Sequence, residues 1–420
     1  MLDLRYIRAH RDHVENVARS RGITVSLDKL LALNDKLSEL RGHLERAQAE
    51  RNAASHAMAG LEERQRQAQR ASLKALGDTV TKLKQRYAEL EQRQTELASA
   101  VPNIVTDDVP LDPNPEHNRV LRAEGAKPTF SFPPRDYLTI AEKLDLIDTA
   151  RAAKVSGTRF GYLKGAAAEL EFALVRFALD YVAEQGFIAV VPPVMVRDEV
   201  IRGVGYLEAG GTLERYHLDA DGLYLVGSAE HALVPLHMNE RLAADELPRR
   251  YAGFSTCFRR EAGAAGKDTR GILRVHQFDK LELVTVCLPE HGDEEFNRLL
   301  GIEEGLLRAL GLPYRIVQLV SGDIPFPLAK TYDVETWMPG QGVYRETHSC
   351  STALDFQARR LNIRYQRGAE RGFVHTLNAT GLAIGRTLIA IIENYQTKKG
   401  FAIPKKLRPY LNGRKDVTAE

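Results

Sequence analysis

The sequence predicts an α+β protein in which a long helical hairpin precedes a domain that contains both helices and strands. Two segments near the N-terminus carry apolar residues at alternating steps of three and four, the spacing of coiled-coil seams. Much farther along the chain, residues 258–282 place polar and aromatic side chains at every second position, which is the period of a strand. A proline-rich segment lies between these regions.

Length and composition narrow the class of protein. A chain of 420 residues has room for two or three domains, and a net charge of +2 means that any RNA contact must come from a local patch. Cys257, Cys287 and Cys350 lack CxxC spacing, so we expect reduced thiols, no disulfide framework and no zinc site. No signal-peptide core opens the chain and no apolar run approaches the ~20 residues of a membrane span. We therefore expect a cytoplasmic protein without membrane contact.

The helical hairpin is predicted from two seams. One runs from Leu30 to Met58 and the other from Leu73 to Val101, and neither contains proline. Ser26 is suited to be an N-cap, and Gly60 lies in the break between the seams. The simplest arrangement is an antiparallel hairpin over residues 26–100, with arms of about 45 to 50 Å at ~1.5 Å per residue.

The outer part of this hairpin has a basic surface. From Arg41 to Lys74 there are seven Lys or Arg residues against four acids, with several glutamines between them. Such a surface could bind an RNA backbone and read its shape more than its sequence. The charges alone favour a solvated coiled-coil exterior, because such helices are usually rich in Glu, Lys, Arg and Gln.

Residues 101–134 are predicted to be a linker. They hold seven prolines, in runs such as DVPLDPNP and FSFPP, which is too many for a regular element. We therefore expect an N-terminal domain over residues 1–100 and a second domain over residues 135–420.

The second domain opens with a helix and a strand. Leu170, Leu174, Phe177 and Tyr181 recur at helical spacing, and the helix is expected to stop near Gly186. The apolar run FIAVV follows as a strand and is closed by two prolines. By itself this order is equally consistent with an ordinary hydrophobic core.

The most informative stretch is FRREAGAAGKDTRGILRVHQFDKLE, residues 258–282. Because side chains alternate faces along a strand, Arg274, His276, Phe278, Lys280 and Glu282 would share one face over roughly 26 Å. A purely structural strand would not devote a face to such groups. A polyphosphate, a flat base and an ammonium group could meet them in succession, which is the outline of ATP beside an amino acid.

The segment before this face makes the pattern specific. Arg259 and Glu261 stand two residues apart before Gly263, Gly266 and Gly271 open a loop. The whole stretch resembles motif 2 of the class II aminoacyl-tRNA synthetases, in the form found in seryl-tRNA synthetases. A charged surface hairpin is disfavoured because so many positions agree, whereas a glycine-rich turn alone would be weak support.

The resemblance extends toward the N-terminus. The helix, strand and paired prolines at 170–193 are similar to motif 1, which implies a homodimer contact. In LYLVGSAEHALVPL, Ser228, Ala229 and Glu230 stand where seryl-tRNA synthetases have Thr-x-Glu to hold the substrate ammonium. Ser228 replaces the usual threonine but keeps the hydroxyl. The hairpin of this family grips the long variable arm of its tRNA.

The segment RETHS resembles the metal and ATP segment of the same family, with Glu346, Thr347, His348 and Ser349 at the matching positions. A carboxylate beside a hydroxyl suits Mg²⁺, which prefers oxygen ligands and shares its shell with substrate phosphates. His348 is tempting as a catalytic base, but an amino-acid carboxylate is already a nucleophile. The resemblance therefore implies that His348 lies behind the ligands.

The segment TLNATGLAIGRTLIAIIENYQ resembles motif 3, a strand followed by a glycine turn and a helix. Arg386 would lie at the N-terminal end of that helix, where the dipole disfavours a cation and an anionic or aromatic partner is needed. The resemblance implies that Arg386 stacks on adenine opposite Phe278, and that Asn378 and Thr380 contact the amino acid.

Taken together, the resemblance implies an antiparallel sheet flanked by helices and the ATP-dependent ligation of L-serine to tRNA(Ser) through a seryl-adenylate. It leaves open whether tRNA(Sec) is also serylated. It implies that Arg259 binds the α-phosphate, Arg274 and Arg386 the outer phosphates, and Glu261 the adenine edge. The residues implied for serine are Ser228, Ala229, Glu230, Glu282, Asn378 and Thr380. The further residues implied for ATP are Arg260, Val275, Phe278, Thr347 and His348, with Glu346 and Ser349 holding Mg²⁺.

Three alternatives compete with this interpretation. A threonyl or prolyl enzyme of the same class is disfavoured because those usually append a C-terminal anticodon-binding domain, and only a short tail follows Gln396. A ligase that loads a carrier protein would lack the hairpin. A coiled-coil interaction protein with a degenerate ligase domain is disfavoured by the intact arginines and glutamates of motifs 2 and 3.

Overall fold

The computed structural model describes residues 1–58, 62–208, 211–262, 268 and 270–419. The chain divides into two compact units, Met1–Pro102 and Asn103–Glu420. The predicted helix break at Gly60 and the loop glycines Gly263 and Gly266 lie outside the described residues.

The first unit is helical and contains the predicted hairpin. Its helices are α1 (Leu4–Ala9), α2 (Arg11–Ser20), α3 (Leu27–Ala57) and α4 (Glu63–Ser99). The amide of Gln94 donates to Asn34 over 3.0 Å and Arg41 donates to the Tyr87 hydroxyl over 2.7 Å, so α3 and α4 run antiparallel. The position of Ser26 as N-cap of α3 is confirmed, although its side chain makes no capping hydrogen bond.

The seams of this hairpin are confirmed by burial. The buried residues on the two long helices include Leu30, Leu33, Leu37, Ala47 and Val80, all at predicted seam positions. The remaining seam residues of α4 are half-buried, while the charged residues between them are exposed. The two helices therefore bury their apolar residues largely against each other.

The second unit combines helices with a large sheet. Its helices are α5 (Tyr137–Lys143), α6 (Thr149–Ser156), α7 (Ala166–Ala183), α8 (Asp198–Val204), α9 (Glu230–Leu233), α10 (Gly292–Leu310), α11 (Phe356–Leu361) and α12 (Ile384–Asn394). Its strands are β1 (Arg119–Glu124), β2 (Ile147–Asp148), β3 (Tyr162–Leu163), β4 (Ile188–Val190), β5 (Met195–Arg197), β6 (His217–Leu218), β7 (Leu223–Leu225), β8 (Arg241–Ala243), β9 (Arg249–Phe258), β10 (Gln277–Cys287), β11 (Tyr314–Gln318), β12 (Lys330–Met338), β13 (Val343–Leu354), β14 (Arg364–Arg367), β15 (Glu370–Phe373), β16 (His375–Ala383), β17 (Gly400–Ala402) and β18 (Asp416–Thr418).

Eight of these strands form the main sheet, in the order β1-β11-β12-β13-β16-β10-β9-β4. Every neighbouring pair is antiparallel except β4 and β9, which are parallel. Helices α7, α10 and α12 pack against this sheet, and Leu281, Leu283, Leu377 and Ala379 of its central strands are buried in the core. The predicted antiparallel sheet flanked by helices is confirmed.

The helices and strands predicted around motifs 1 and 3 are confirmed. Helix α7 buries Leu170, Leu174 and Phe177, and Gly186 takes a positive φ of 84° between this helix and β4. Strand β16 leads directly into α12, and Arg386 is the third residue of that helix.

Two predictions from the sequence were wrong. Strand β10 begins at Gln277, so Arg274 and His276 precede the strand and the predicted polar face is shorter. The segment treated as a linker without regular structure contains β1, which pairs with β11 at the edge of the main sheet. Prolines crowd both sides of β1 but none lies within it, and the count of prolines over the whole segment hid this strand.

Among the described residues, no helix has both the length and the apolar character needed to cross a bilayer.

Candidate active site

A cavity of about 500 Å³ opens in the second unit of the described structure. It brings together side chains from β10, β13, β16 and α12 with side chains from the segments around residues 206–231 and 259–275. The predicted site residues that line it are Ser228, Glu230, Arg259, Glu261, Arg274, Val275, Phe278, Glu346, Thr347, Ser349, Asn378, Thr380 and Arg386. Ala229, Arg260, Glu282 and His348 do not line it.

The alternation of side chains along three central strands builds the floor of this cavity. Phe278 and Lys280 of β10 line it, as do Asn378 and Thr380 of β16, two residues apart in each strand. Ala379, between Asn378 and Thr380, is buried in the core on the other face of the sheet, whereas Asp279, between Phe278 and Lys280, is half-buried. Along β16 the pleat thus separates an apolar side from a polar side.

Most of the cations on the wall are paired with carboxylates. Arg274 Nη1 lies 2.6 Å from Glu261 Oε2, and Lys280 forms an ion pair with Glu282. Arg386 Nη1 lies 3.2 Å from Glu346 Oε2 and also donates to the Glu346 carbonyl over 2.9 Å. These pairs hold the side chains in place and leave their other donors and acceptors available to a ligand.

Arg259 is held differently. Its Nε donates to the Gly227 carbonyl over 3.1 Å, and its guanidinium carbon lies 5.2 Å from the centre of the Phe278 ring. Among the described residues, no carboxylate forms an ion pair with it. A guanidinium fixed at the wall without an ion-pair partner is suited to binding an anion.

Glu230 is the most perturbed carboxylate on the wall. It is 3 % exposed, accepts a hydrogen bond from the Tyr206 hydroxyl over 3.0 Å and another from Gln357 over 2.9 Å. Burial, with a further contribution from the charge of Glu282, raises the pKa of Glu230 to about 7. A cation bound beside it would restore its charged form.

Ser228 and Glu282 are fixed by their neighbours. The Ser228 hydroxyl oxygen accepts the Glu230 backbone N–H over 3.3 Å, which orients a side chain that lacks the methyl group of threonine. Glu282 is fully buried and accepts a hydrogen bond from Asn378 over 3.2 Å. Its two partners, Lys280 and Asn378, line the cavity, so Glu282 stands directly behind them.

His348 and Thr347 form a buried polar chain beside Glu346. His348 Nδ1 lies 2.8 Å from the Thr347 hydroxyl, which lies 2.7 Å from the Thr336 hydroxyl. Burial and the charge of Lys280 lower the pKa of His348 to about 3, so the ring is neutral at neutral pH. A buried, neutral ring outside the cavity wall fits the predicted position behind the ligands.

The residues predicted to hold Mg²⁺ offer oxygen donors at the cavity wall. Glu346 and Ser349 both line the cavity, three residues apart on β13. Within the described part of the chain, no group of three or more His, Cys, Asp or Glu side chains is arranged to hold a metal ion. A cation bound here would therefore complete its shell with substrate phosphates and water, as Mg²⁺ usually does.

Arg260 and Ala229 lie outside the cavity. Arg260 is exposed, its guanidinium carbon lies 5.8 Å from the centre of the Tyr216 ring, and its backbone N–H donates to the Glu214 carbonyl over 3.0 Å. Ala229 is fully buried at the start of α9.

Several residues that line the cavity were not predicted from the sequence. Tyr206, Arg215 and His231 line the cavity, and each belongs to a short element or loop without a clear period. No local pattern marks Tyr206 or Arg215, because they reach the site only through the fold of the chain. Lys280 was predicted on the polar face that includes Phe278, although no individual role was assigned to it, and it does line the cavity.

Comparison with known families agrees with both units. Residues 1–105 match the family model described as the seryl-tRNA synthetase N-terminal domain. Residues 215–395 match the model described as the tRNA synthetase class II core domain (G, H, P, S and T). The cavity lies almost entirely within the second match.

Individual relatives match along the whole chain. A serine--tRNA ligase from Thermodesulfovibrio yellowstonii is 41% identical over 419 residues, which cover 98% of this chain and 99% of the relative. The crystal structure of a seryl-tRNA synthetase from Pyrococcus horikoshii complexed with ATP superposes with a TM-score of 0.89 at 35% identity, covering 100% of both chains. A cytoplasmic serine-tRNA ligase from Naegleria fowleri in complex with AMP gives 0.87 at 31% identity, covering 100% of this chain and 99% of that one.

Proposed function

The chain belongs to the seryl-tRNA synthetases, and on that premise we propose how its residues carry out the reaction of this family. The reaction is the ATP-dependent serylation of tRNA(Ser). The serine carboxylate attacks the α-phosphate of ATP, which gives seryl-adenylate and pyrophosphate, and the terminal adenosine hydroxyl of the tRNA then takes the seryl group. Serylation of tRNA(Sec) stays a prediction, to be tested by charging that tRNA.

The assignment of Arg259 to the chemical step rests on one observation. Arg274, Lys280 and Arg386 are each paired with a carboxylate, whereas Arg259 has no ion-pair partner among the described residues. It is fixed by the Gly227 carbonyl between the Ser228 side of the cavity and the Phe278 ring. We assign it to the α-phosphate, where negative charge develops as the serine oxygen attacks.

Serine is bound by the polar groups at one end of the cavity. Glu230 takes the ammonium, and the hydroxyls of Ser228 and Thr380 with the amide of Asn378 meet the remaining polar atoms. Glu282 holds Asn378 in position, which supports a role in serine binding through that contact. Because such a pocket would leave buried polar groups unpaired with alanine, alanine is rejected strongly and threonine is the closer competitor.

ATP occupies the other end of the cavity. Phe278 and Arg386 enclose the adenine, with Glu261 and Val275 beside it, while Arg274 and Arg386 bind the outer phosphates. Both arginines are already anchored by carboxylates, so phosphate binding extends an existing contact and needs little reordering. Arg260, exposed next to this wall, contributes charge near the phosphates.

Glu346 and Ser349 are proposed as the protein ligands of Mg²⁺. The metal neutralises phosphate charge when it is bound, and the residues of this chain fix where it sits. The Arg386 ion pair holds the Glu346 carboxylate at the cavity wall, so the ligand is positioned before ATP enters.

A homodimer is supported by an apolar surface around motif 1. Phe172 of α7 is 71 % exposed, and Ile188 and Val191 in and after β4 are 60 % and 87 % exposed. Adjacent exposed apolar residues of this size are typical of a protein contact. Sedimentation equilibrium of the full chain should give twice the monomer mass, and Phe172→Glu should shift it toward monomer.

The exchange of pyrophosphate into ATP, run with each of the twenty amino acids, tests the proposed function. Serine should support exchange, threonine should support it only weakly, and alanine should fail. Strong exchange with proline or threonine and none with serine would assign the cavity to another enzyme of this class.

A further inference from the structure

Arg215 is a second cation at the cavity wall, and nothing in the predicted site accounts for it. It follows the short turn Gly211–Glu214, and its guanidinium carbon lies 5.4 Å from the centre of the Tyr206 ring. A Cβ atom at position 227 would lie only 2.4 Å from Arg215 Nη1 and 3.1 Å from its guanidinium carbon. The guanidinium therefore lies against the α-carbon of Gly227, and a larger residue at this position would displace it.

Arg215 and Arg259 flank the same residue. Arg259 Nε donates to the Gly227 carbonyl over 3.1 Å, while Arg215 lies against the Gly227 α-carbon. Neither guanidinium has an ion-pair partner in the part of the chain that the structure describes. Burial, followed by repulsion from Arg259, lowers the pKa of Arg215 to about 10, which leaves it charged at neutral pH. Two neighbouring positive charges withdrawn from water are costly unless an anion joins them.

The charges of Glu230 and Glu214 favour the charged form of Arg215, and Arg259 and Glu346 attract each other, but these attractions do not offset the burial of Arg215. The closest contacts of the other cavity carboxylates lie elsewhere. Glu261 pairs with Arg274, Glu282 with Lys280 and Glu346 with Arg386. Glu230 is held by Tyr206 and Gln357. The positive charge beside Gly227 is therefore left for a ligand.

We infer that Arg215 is a substrate-binding residue that contacts the carboxylate of the amino acid beside Arg259. This inference rests on the proposed function, because it takes Glu230 as the ammonium site. Ser228 and Glu230 stand one and three residues after Gly227 in the chain. An amino acid whose ammonium lies on Glu230 can place its carboxylate near Gly227, where the two guanidinium groups meet.

The chemistry of the step determines which kinetic constant depends on Arg215. One carboxylate oxygen forms a bond to the α-phosphorus, the bond to the pyrophosphate oxygen breaks, and pyrophosphate leaves with that electron pair. The serine carboxylate thereby loses its charge and becomes a mixed anhydride. Arg215 thus binds the serine carboxylate more strongly than it binds the product, and its loss should raise the KM for serine more than it lowers kcat.

The test compares Arg215→Met with Arg215→Lys and with Arg197→Met, a control whose side chain is 68 % exposed and paired with Glu199 outside the cavity. Serine-dependent exchange gives KM and kcat for serine. Serinol, which keeps the ammonium and hydroxyl groups but lacks the carboxylate, is measured as a competitive inhibitor of the same exchange.

Arg215→Met should raise the KM for serine at least about tenfold, the scale of one lost hydrogen bond to a charged group, and leave the inhibition constant of serinol within about threefold. The KM of Arg215→Lys for serine should lie between those of Arg215→Met and the wild type, and the KM of Arg197→Met should match the wild type. If Arg215→Met does not fold, the ratio of serine affinity to serinol affinity in Arg215→Lys decides the question.

Equal weakening of serine and serinol would overturn the inference, because it would show that Arg215 only supports the cavity wall. An unchanged KM for serine in a folded Met variant would overturn it as well. Absence of serine-dependent exchange in the wild-type protein would instead refute the proposed function, whatever the variants do.

Discussion

Ion pairs between arginine and glutamate differ in exposure, and therefore in strength, between the two units of this protein. On the hairpin, Arg86 and Glu89 form an ion pair whose side chains are 61 % and 51 % exposed. Such an exposed pair contributes little to the free energy of folding. In the cavity, Arg274 and Glu261 form a pair that is 32 % and 11 % exposed. Charges withdrawn from water interact strongly and must be matched, so their arrangement is informative about ligands.

This difference explains why sequence patterns were decisive in one unit and ambiguous in the other. The surface from Arg41 to Lys74 is consistent both with RNA binding and with a solvated exterior, because exposed charges are tolerated in either case. The polar side chains between Arg259 and Glu282 would be costly to bury without ligands. Substitutions in the cavity should therefore have large effects on adenylate formation, and conditions that screen charge should act mainly on the hairpin.

The largest effect is expected for Arg259→Ala. Its guanidinium serves charge that develops on the α-phosphate, so we expect exchange to fall by about 10²- to 10³-fold, the scale of one lost transition-state donor. Serine binding measured by calorimetry on the same preparation should weaken much less, because Arg215 also contacts the carboxylate. A folded variant with normal exchange would refute the motif 2 assignment.

Glu282→Ala should reduce serine-dependent exchange by at least ~10²-fold. The substitution leaves Lys280 without its carboxylate and Asn378 without its acceptor in a region shielded from water. Glu290→Ala, which removes an exposed carboxylate paired with Arg367, is the matched control and should behave as wild type. Activity within a few-fold of wild type would remove Glu282 from the site.

Serine binding should weaken in acid through Glu230. Because burial raises the pKa of this carboxylate to about 7, it becomes protonated as the pH falls through that value and loses its attraction for the serine ammonium. The KM for serine should rise about tenfold between pH 8 and pH 6, as expected for a group that must be ionised. Glu230→Gln should bind serine poorly and show no such rise; a KM that is flat in the wild type would exclude Glu230 as the ammonium ligand.

Raising the salt concentration should affect tRNA charging more than exchange, and both effects should be smaller than those of the substitutions above. Charging of tRNA should weaken several-fold between 50 and 200 mM salt, because phosphate contacts release counterions, at roughly one power of the salt concentration per contact. Exchange should change much less over the same range, since the cavity charges are partly buried and most of them are paired. Equal salt dependence of the two reactions would argue against a hairpin that binds the RNA backbone.

The parts predicted from sequence were those with a local signal. Seam spacing gave α3 and α4, and period-two alternation placed Phe278 on the cavity floor. Periodicity failed at Arg274, which reaches the cavity from the loop before β10 and so has no strand alternation to follow.

Other parts depend on contacts between distant segments. Strand β1 forms because β11 offers it an edge, and Arg215 reaches the site because Gly227 leaves room for it. The ion pair of Arg386 with Glu346 likewise joins two different elements, α12 and β13, so no single segment of sequence reveals which cation lacks a partner.

We propose that the second unit forms the adenylate and that the hairpin binds the tRNA. The most direct test replaces residues 26–100 with a short bridging loop and measures exchange and charging on one preparation. The second unit has its own core and its own cavity, so serine-dependent exchange should stay within a few-fold of the full chain. Charging of tRNA(Ser) should fall by at least ~10²-fold, since the phosphate contacts that we propose for the hairpin would be lost. If the shortened protein charges tRNA(Ser) as well as the full chain, the hairpin is a solvated coiled coil and does not bind the tRNA.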